Sequence, residues 1–350
     1  MPSAGPCGES VAGTGFLRLS RPLTVNAGAR HLQLGALSFL FAVLLVAAPL
    51  YALPDTSPDA LLREHLWRQV TTLPKGQRPA VGLVLSAGAL RGLAHVGVLQ
   101  VLEDADFPVD VVAGTSAGAV LGSFYAAGIS MPRMWGIRNT LRLQTGSNFS
   151  QIRLVQLMLA DHLLSSGNME KTVRDMLGDI TFDRLQKPFG CVAMDLKTGE
   201  KIVFRSGPVA PAVRASMNLP GIFEPVVYRH RYLVDGGVVD YVPVDVARFL
   251  GAEWVLASVT EGDFTNFTPT NVLSSLEQVI DIRGALLAQE QKKHADALIE
   301  PKVDGIGFTA TERIGEAMDK GVLAARRDLR AVQEKYILFA LPRIMPGPKP

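Results

Sequence analysis

From residue 80 onward the chain alternates short apolar runs with stretches whose apolar positions recur at helical spacing. Ala80-Val81-Gly82-Leu83-Val84-Leu85 is uninterrupted by polar side chains, as expected of a strand buried on both faces. Residues 109 to 113, 189 to 194, 201 to 204 and 253 to 259 also read as strands. Between the first two, Leu93 to Glu103 sets Val96, Leu99 and Leu102 on one face of a helix, and the small-residue run Ala119 to Ala127 predicts another. Strands alternating with helices predict an α/β sandwich around a parallel-rich sheet. Between Met131 and Asp179, Ile152, Leu154, Val155, Leu157, Met158, Leu159, Leu163 and Leu164 make a helical apolar stretch. Such a stretch is usually core, with a lid or acyl-chain channel as the alternative.

Upstream the pattern changes. Leu32 to Leu53 is almost wholly apolar and uncharged, follows Arg18, Arg21 and Arg30, and ends in Ala47-Ala48-Pro49-Leu50-Tyr51-Ala52. That is the form of a secretory signal or a single membrane anchor, with residues 54 to 350 exported to a bacterial periplasm or held outside the cytoplasm. The expected organisation is therefore 1–53 as leader and apolar segment, and 54–79 as a linker with an amphipathic helix over Asp59 to Val70. Residues 80–335 make the main domain, and 336–350 a tail whose Tyr336 to Pro342 could touch a membrane but is too short to span one.

Composition narrows the picture modestly. With 48% hydrophobic and 19% charged residues the chain can build a sizeable core. The net charge of +2 is matched by Arg18, Arg21 and Arg30 against Glu9. The remainder is neutral, which argues against a nucleic-acid partner. The two cysteines, Cys7 and Cys191, give neither a zinc pattern nor a disulfide framework. Asp179, Asp183 and Asp195 are spaced as caps and turns, so no metal is expected.

Candidate chemistry sits in three short motifs. Gly114-Thr115-Ser116-Ala117-Gly118 joins a strand to a helix; in so sharp a turn the serine hydroxyl stands clear, and glycines avoid collisions on either side. Ser86-Ala87-Gly88-Ala89-Leu90-Arg91-Gly92 is a small-residue loop opening a helix, which exposes backbone N–H groups of the kind an oxyanion needs. It fits neither a dinucleotide fingerprint nor a Walker A loop. Leu233-Val234-Asp235-Gly236-Gly237 sets a carboxylate before two glycines, a pattern that is commonly a turn and that also suits a base for a serine.

Taken in order, these motifs resemble those of the patatin-like phospholipase family, most closely its bacterial members related to neuropathy target esterase. The likeness extends to Arg214-Ala215-Ser216 through Pro220 and Phe223, and to Pro188-Phe189-Gly190-Cys191 through Asp195 and Thr198-Gly199-Glu200. It implies a three-layer α/β/α sandwich and a serine-dependent lipid acyl hydrolase without cofactor, acting on phospholipid or lysophospholipid esters at a membrane surface. It further implies Ser116 as nucleophile, Asp235 as its base, and the amides of Ala87, Gly88 and Ala89 as the oxyanion hole. Arg91 and Gly92 close the loop; Gly114, Gly118, Gly236 and Gly237 support the turns. The family loop usually reads Gly-Gly-Gly-x-Arg-Gly, so Ala87 and Ala89 depart from it, and a methyl group at a positive φ costs about 1 kcal/mol or more. A second departure is Tyr241, where the family commonly has Asn.

Of the six histidines, His31, His65, His95, His162, His230 and His294, none has the setting of a triad histidine; His95, one turn past the loop, is expected to pack or cap. The rival reading is a catalytically weak lipid-binding or scaffold protein that lost turnover through Ala87 and Ala89. A protease or thioesterase using the same dyad is a third.

Overall fold

The structure, a computed structural model, describes residues 57–148, 165–262, 265, 268, 270, 272–307 and 311–345. The apolar segment 32–53 and the stretch Ile152 to Leu164 lie outside the described residues. Ser57–Pro350 is one compact unit.

Eight strands form one sheet in the order β5-β6-β3-β2-β1-β7-β8, with β4 pairing β3 beside that path. They are β1 Val81–Leu85, β2 Val111–Thr115, β3 Phe189–Asp195, β4 Lys201–Phe204, β5 Val226–Tyr228, β6 Arg231–Asp235, β7 Trp254–Ser258 and β8 Ala297–Ile299. The pairs β1–β2, β1–β7, β2–β3 and β7–β8 are parallel; β3–β4, β3–β6 and β5–β6 are antiparallel. The sheet is thus mainly parallel at its centre and antiparallel at one edge. The helices are α1 Pro58–Thr72, α2 Ala94–Asp104, α3 Ala117–Ala126, α4 Met131–Asn148, α5 Gly167–Leu177, α6 Val209–Ser216, α7 Val244–Phe249, α8 Val272–Gln291 and α9 Ile314–Ile344.

Alternation along the central strands builds the layers. Leu83, Leu85, Val112, Cys191, Trp254 and Leu256 point into a core shared with α2, α3, α6 and α9. Their neighbours Val84, Val111, Ala113, Val192, Val255 and Ala257 point into a second core, completed by Val244, Val246 and Ala247 of α7 and Ala288 of α8. Side chains of successive strand residues face opposite sides, so two apolar layers require helices on both faces. The three-layer sandwich follows. β5, β6 and β8 were not among the runs expected to be strands: β5 and β8 are three residues each, and β6 begins with the half-buried Arg231 and the exposed Tyr232.

The expected tail at 336–350 needs correcting. Helix α9 runs through Tyr336 to Ile344 without a break, and Tyr336, Ile337 and Ala340 are buried. Tyr336 joins Trp67, Phe107 and Trp254 in an aromatic cluster, and its hydroxyl donates to the Pro79 carbonyl at 2.8 Å. The apolar run Tyr336 to Leu341 therefore mixes core anchors with the exposed Leu338 and Phe339.

Helix α9 meets α2 at very close range. A Cβ on Gly321 would stand 1.9 Å from the Ala94 carbonyl oxygen, and one on Gly97 would stand 2.1 Å from that of Met318. These are backbone atoms and cannot turn aside. Replacing Gly321 with Ala should therefore destabilise the fold by about 2–3 kcal/mol through forced separation of the helices, read as a lower urea midpoint with an unchanged slope.

Candidate active site

Ser116 occupies the N-cap of α3 at φ 56 and ψ −121, a strained conformation for a residue with a side chain. The turn is compressed from both sides. A Cβ on Gly114 would lie 2.3 Å from the Gly118 carbonyl oxygen, and one on Gly118 would lie 2.1 Å from that of Leu85. Only glycine lets the start of α3 sit on the ends of β1 and β2. The Ser116 N–H donates to Ser216 Oγ at 3.0 Å, which ties the strained residue to the end of α6.

Asp235 closes β6. Register brings it beside the serine: Thr115 pairs with Val192 across β2–β3, and Ala193 pairs with Asp235 across β3–β6. Ser116 Oγ donates to Asp235 Oδ2 at 2.6 Å, and the Gly237 N–H donates to Oδ1 at 2.7 Å. The carboxylate is almost wholly buried. Burial pushes its pKa up to about 6, offset in part by the Ser116 and Gly237 hydrogen bonds, with no cation contributing. A Cβ on Gly236 would meet the Val192 carbonyl oxygen at 2.3 Å, so the chain after Asp235 also lies hard against β3.

The loop 86–92 runs beside this pair. Ala89 has φ 47, so the alanine at that place does sit in the left-handed region. Of the three amides assigned from sequence to an oxyanion hole, Ala87 must be withdrawn: its N–H donates to the Tyr241 carbonyl at 2.9 Å and is not free for a ligand. The N–H groups of Gly88 and Ala89 open the short helical turn Ala89–Leu93 and take no partner among the described residues, as the first donors of a helix generally do. The Ala87 carbonyl accepts from Ser86 Oγ and Thr260 Oγ1 at 2.8 and 3.1 Å, which fixes the loop from behind.

Arg91 is not displayed to solvent. Its guanidinium makes two hydrogen bonds to Asp281 of α8, one at 3.0 Å, and the pair is buried on both sides. Tyr241, also buried, donates its hydroxyl to the Thr260 carbonyl at 3.3 Å, and burial raises its pKa to about 12. Ala87, Gly88, Ala89, Arg91, Ser116, Asp235, Gly237 and Tyr241 line one cavity, with Ile280 and Asp281 of α8 as its far wall.

His95 is fully buried behind the loop, with Nδ1 2.8 Å from Ser258 Oγ and Nε2 3.1 Å from the Ser86 carbonyl. Burial lowers its pKa to about 4, so it is neutral, and both ring nitrogens are engaged away from Ser116. Ser216, Thr260, Asp281 and the Tyr241 carbonyl were missed as site residues. Ser216 lies within a stretch quoted for the resemblance; the Arg91–Asp281 contact spans 190 residues and has no local signal.

Residues 83–248 match the model of the Patatin-like phospholipase family, and this stretch of the chain is a domain of that family. Over 185 residues the chain is 32% identical to an uncharacterized NTE family protein of Mycobacterium tuberculosis, covering 53% of this chain and 50% of that protein. It is 33% identical over 190 residues to a lysophospholipase of Aspergillus fumigatus, covering 54% of this chain and 12% of that protein. The chain thus spans half the length of the mycobacterial relative and much less of the fungal one. The crystal structure of VipD from Legionella pneumophila superposes with a TM-score of 0.43 at 14% identity, over 73% of this chain and 67% of that one.

Two outcomes follow from strain and burial. Ala89→Gly should raise stability by about 1 kcal/mol by relieving the positive φ, measured by urea unfolding. Asp235 binds its proton more tightly folded than its ordinary value of 3.8 allows. Its contribution to stability is therefore present below about pH 4 and lost as pH rises through about 6. Asp235→Asn should accordingly raise the thermal midpoint more at pH 8 than at pH 4, and an equal shift at both would contradict the assignment.

Proposed function

We propose that this protein is a serine acyl hydrolase of lipid esters. The observation that carries the reading is the 2.6 Å hydrogen bond from Ser116 Oγ to Asp235 Oδ2 at a strained strand-to-helix turn. Ser116 attacks the ester carbonyl as Asp235 takes its proton, and the tetrahedral oxyanion is met by the N–H groups of Gly88 and Ala89. Collapse expels the alcohol, which recovers the proton from Asp235. Water, deprotonated by the same carboxylate, then releases the fatty acid from the acyl-enzyme. The patatin-like phospholipase domain supports a lipid as the substrate class, and the lysophospholipase name of the Aspergillus relative suggests phospholipid or lysophospholipid esters.

His95 has no place in this scheme, since both its nitrogens serve the scaffold. The scaffold alternative draws support from the loop, where Ala89 is strained and the Ala87 N–H is spent on Tyr241. Two donors remain, however, and loss of one typically costs a hundredfold or more and not the whole rate. For the segment 32–53 we retain the proposal of a signal or anchor that sends the domain out of the cytoplasm, on its sequence pattern alone. Among the described residues no helix is long and apolar enough to cross a membrane.

A fluorophosphonate probe tests the chemistry directly. The natural chain should label at one serine, Ser116→Ala should not label, and Asp235→Asn should label on the order of a hundredfold to ten-thousandfold more slowly. The rate should fall as pH drops through about 6, because the protonated carboxyl cannot accept the serine proton. Labelling that survives Ser116→Ala, or none in a folded natural chain, sinks the proposal.

A further inference from the structure

The β5–β6 hairpin closes the antiparallel edge of the sheet, and its tip projects past the carboxyl ends of the parallel strands. Asp235 is level with Ala193, Leu233 with Asp195, and the Leu196 N–H donates to the Tyr232 carbonyl. The tip and the neighbouring β3–β4 turn therefore stand beyond Ser116 on the same end of the sheet to which Ser116 opens. That end is where open α/β sheets take ligands.

What the tip displays is unusual for a turn. Val227 is 69% exposed, Leu196 48%, and Tyr228 and Tyr232 are each 40% exposed. Lys197 lies over the Tyr232 ring with its Nζ 4.4 Å from the centroid, and the Arg229 guanidinium lies over Tyr228 at 5.3 Å. Neither cation has a carboxylate partner among the described residues, in contrast with Arg231 beside them, which is tied to Asp195 and Glu200. Exposed aliphatics, tyrosines and unneutralised cations on these two adjoining turns match the chemistry of a bilayer interface. Rings sit at headgroup level, and cations meet anionic heads.

The backbone adds an independent observation. Arg229 and His230 have φ 47 and 67, so both central residues of this two-residue turn are left-handed. Asn-Gly suits such a turn far better. The fold thus keeps an arginine and a histidine at a strained tip where a cheaper pair would close the hairpin as well.

We propose that this tip, with Leu196 and Lys197 beside it, is the surface by which the protein docks on an anionic lipid membrane. The inference rests on the lipid-ester reading for the reason a membrane is met at all. A protein strand adding to the edge is the competing occupant, but β5 offers only three residues, and backbone pairing makes no use of the stacked cations. Docking there would hold the active-site end of the sheet toward the bilayer.

The test uses the full chain carrying Ser116→Ala, so that no turnover is needed and failure of the docking is separable from failure of the chemistry. With Cys7→Ser in place, an environment-sensitive fluorophore is attached through Val227→Cys, or in a control through Leu323→Cys, which lies exposed on α9. Vesicles of phosphatidylcholine with phosphatidylglycerol should blue-shift the label at 227 and leave that at 323 unmoved; phosphatidylcholine alone should do much less. Lys197→Ala with Arg229→Ala should raise the lipid concentration for half the shift about thirtyfold, while hydrolysis of a short-chain soluble ester by the chain with Ser116 intact stays unchanged. Equal responses at 227 and 323, or an undiminished shift in the double variant, overturn the proposal. So does a shift that grows with protein concentration without lipid, which would assign the patch to a second copy of the chain.

Discussion

The architecture of the site depends on one steric constraint, the contact of α3 with the ends of β1 and β2. A Cβ on Gly118 would lie 2.1 Å from the Leu85 carbonyl oxygen, closer than any side chain permits. This contact forces the chain from extended to helical conformation within a single residue, and Ser116 is the residue that takes the strain. Once the turn is fixed, the rest is placed by pairing. β3 lies beside β2, β6 beside β3, and Asp235 arrives at hydrogen-bond distance without a connection designed for it. The strain is supported by tertiary contacts, as a conformation this uncommon requires: Ser216 accepts from the serine N–H, and Gly92 leaves room for Ala117 beside it.

Electrostatics at Asp235 depend on what the fold withholds. One buried carboxylate elsewhere, Asp110, is neutralised directly: it accepts two bonds from Arg78 and one from the Val81 N–H, and its pKa falls. Asp235 receives only a hydroxyl and one N–H, and its pKa rises. The cation that lines the same cavity, Arg91, is held by Asp281. A guanidinium bonded to Asp235 would stabilise the charge and weaken the base. Committing Arg91 to Asp281 leaves Asp235 without a cationic partner among the described residues, and it also ties the helix that walls the cavity to the loop 86–92.

Central strands and the serine turn were legible because their signals are local. β1, β2, β3 and β7 are apolar runs set by burial on both faces, and the glycines at 114 and 118 announce a turn within five residues. The outer strands β5, β6 and β8 were not legible: β5 and β8 are three residues each and β6 is buried only over its last three, so their pairing depends on partners far away in the chain and not on an apolar run. The tail was misjudged for a related reason. Tyr336, Ile337 and Ala340 look like a free apolar segment until the cluster of Trp67, Phe107 and Trp254 that receives them is known. Asp281 and the Tyr241 carbonyl escaped altogether, since a contact across the fold leaves no mark in the spacing of either residue.

The loop shows how an alanine-bearing sequence can still present amides. The departure from three glycines raises two separate questions, whether a methyl group fits and whether its N–H stays free, and the two alanines answer them differently. Ala87 is buried, with its N–H given to Tyr241 and its carbonyl to Ser86 and Thr260, so it anchors the loop and presents no donor. A Cβ on Gly88 would meet Thr260 Oγ1 at 2.3 Å, so a larger residue there must displace the side chain that holds the Ala87 carbonyl. Ala89 takes the positive φ that a glycine would adopt freely, yet its N–H remains at the start of a helical turn, where backbone donors point outward. The sequence change therefore bears on the stability of the loop more than on its supply of donors. The number of free amides is set by Tyr241, whose carbonyl claims the Ala87 N–H through its main chain, whatever side chain it bears.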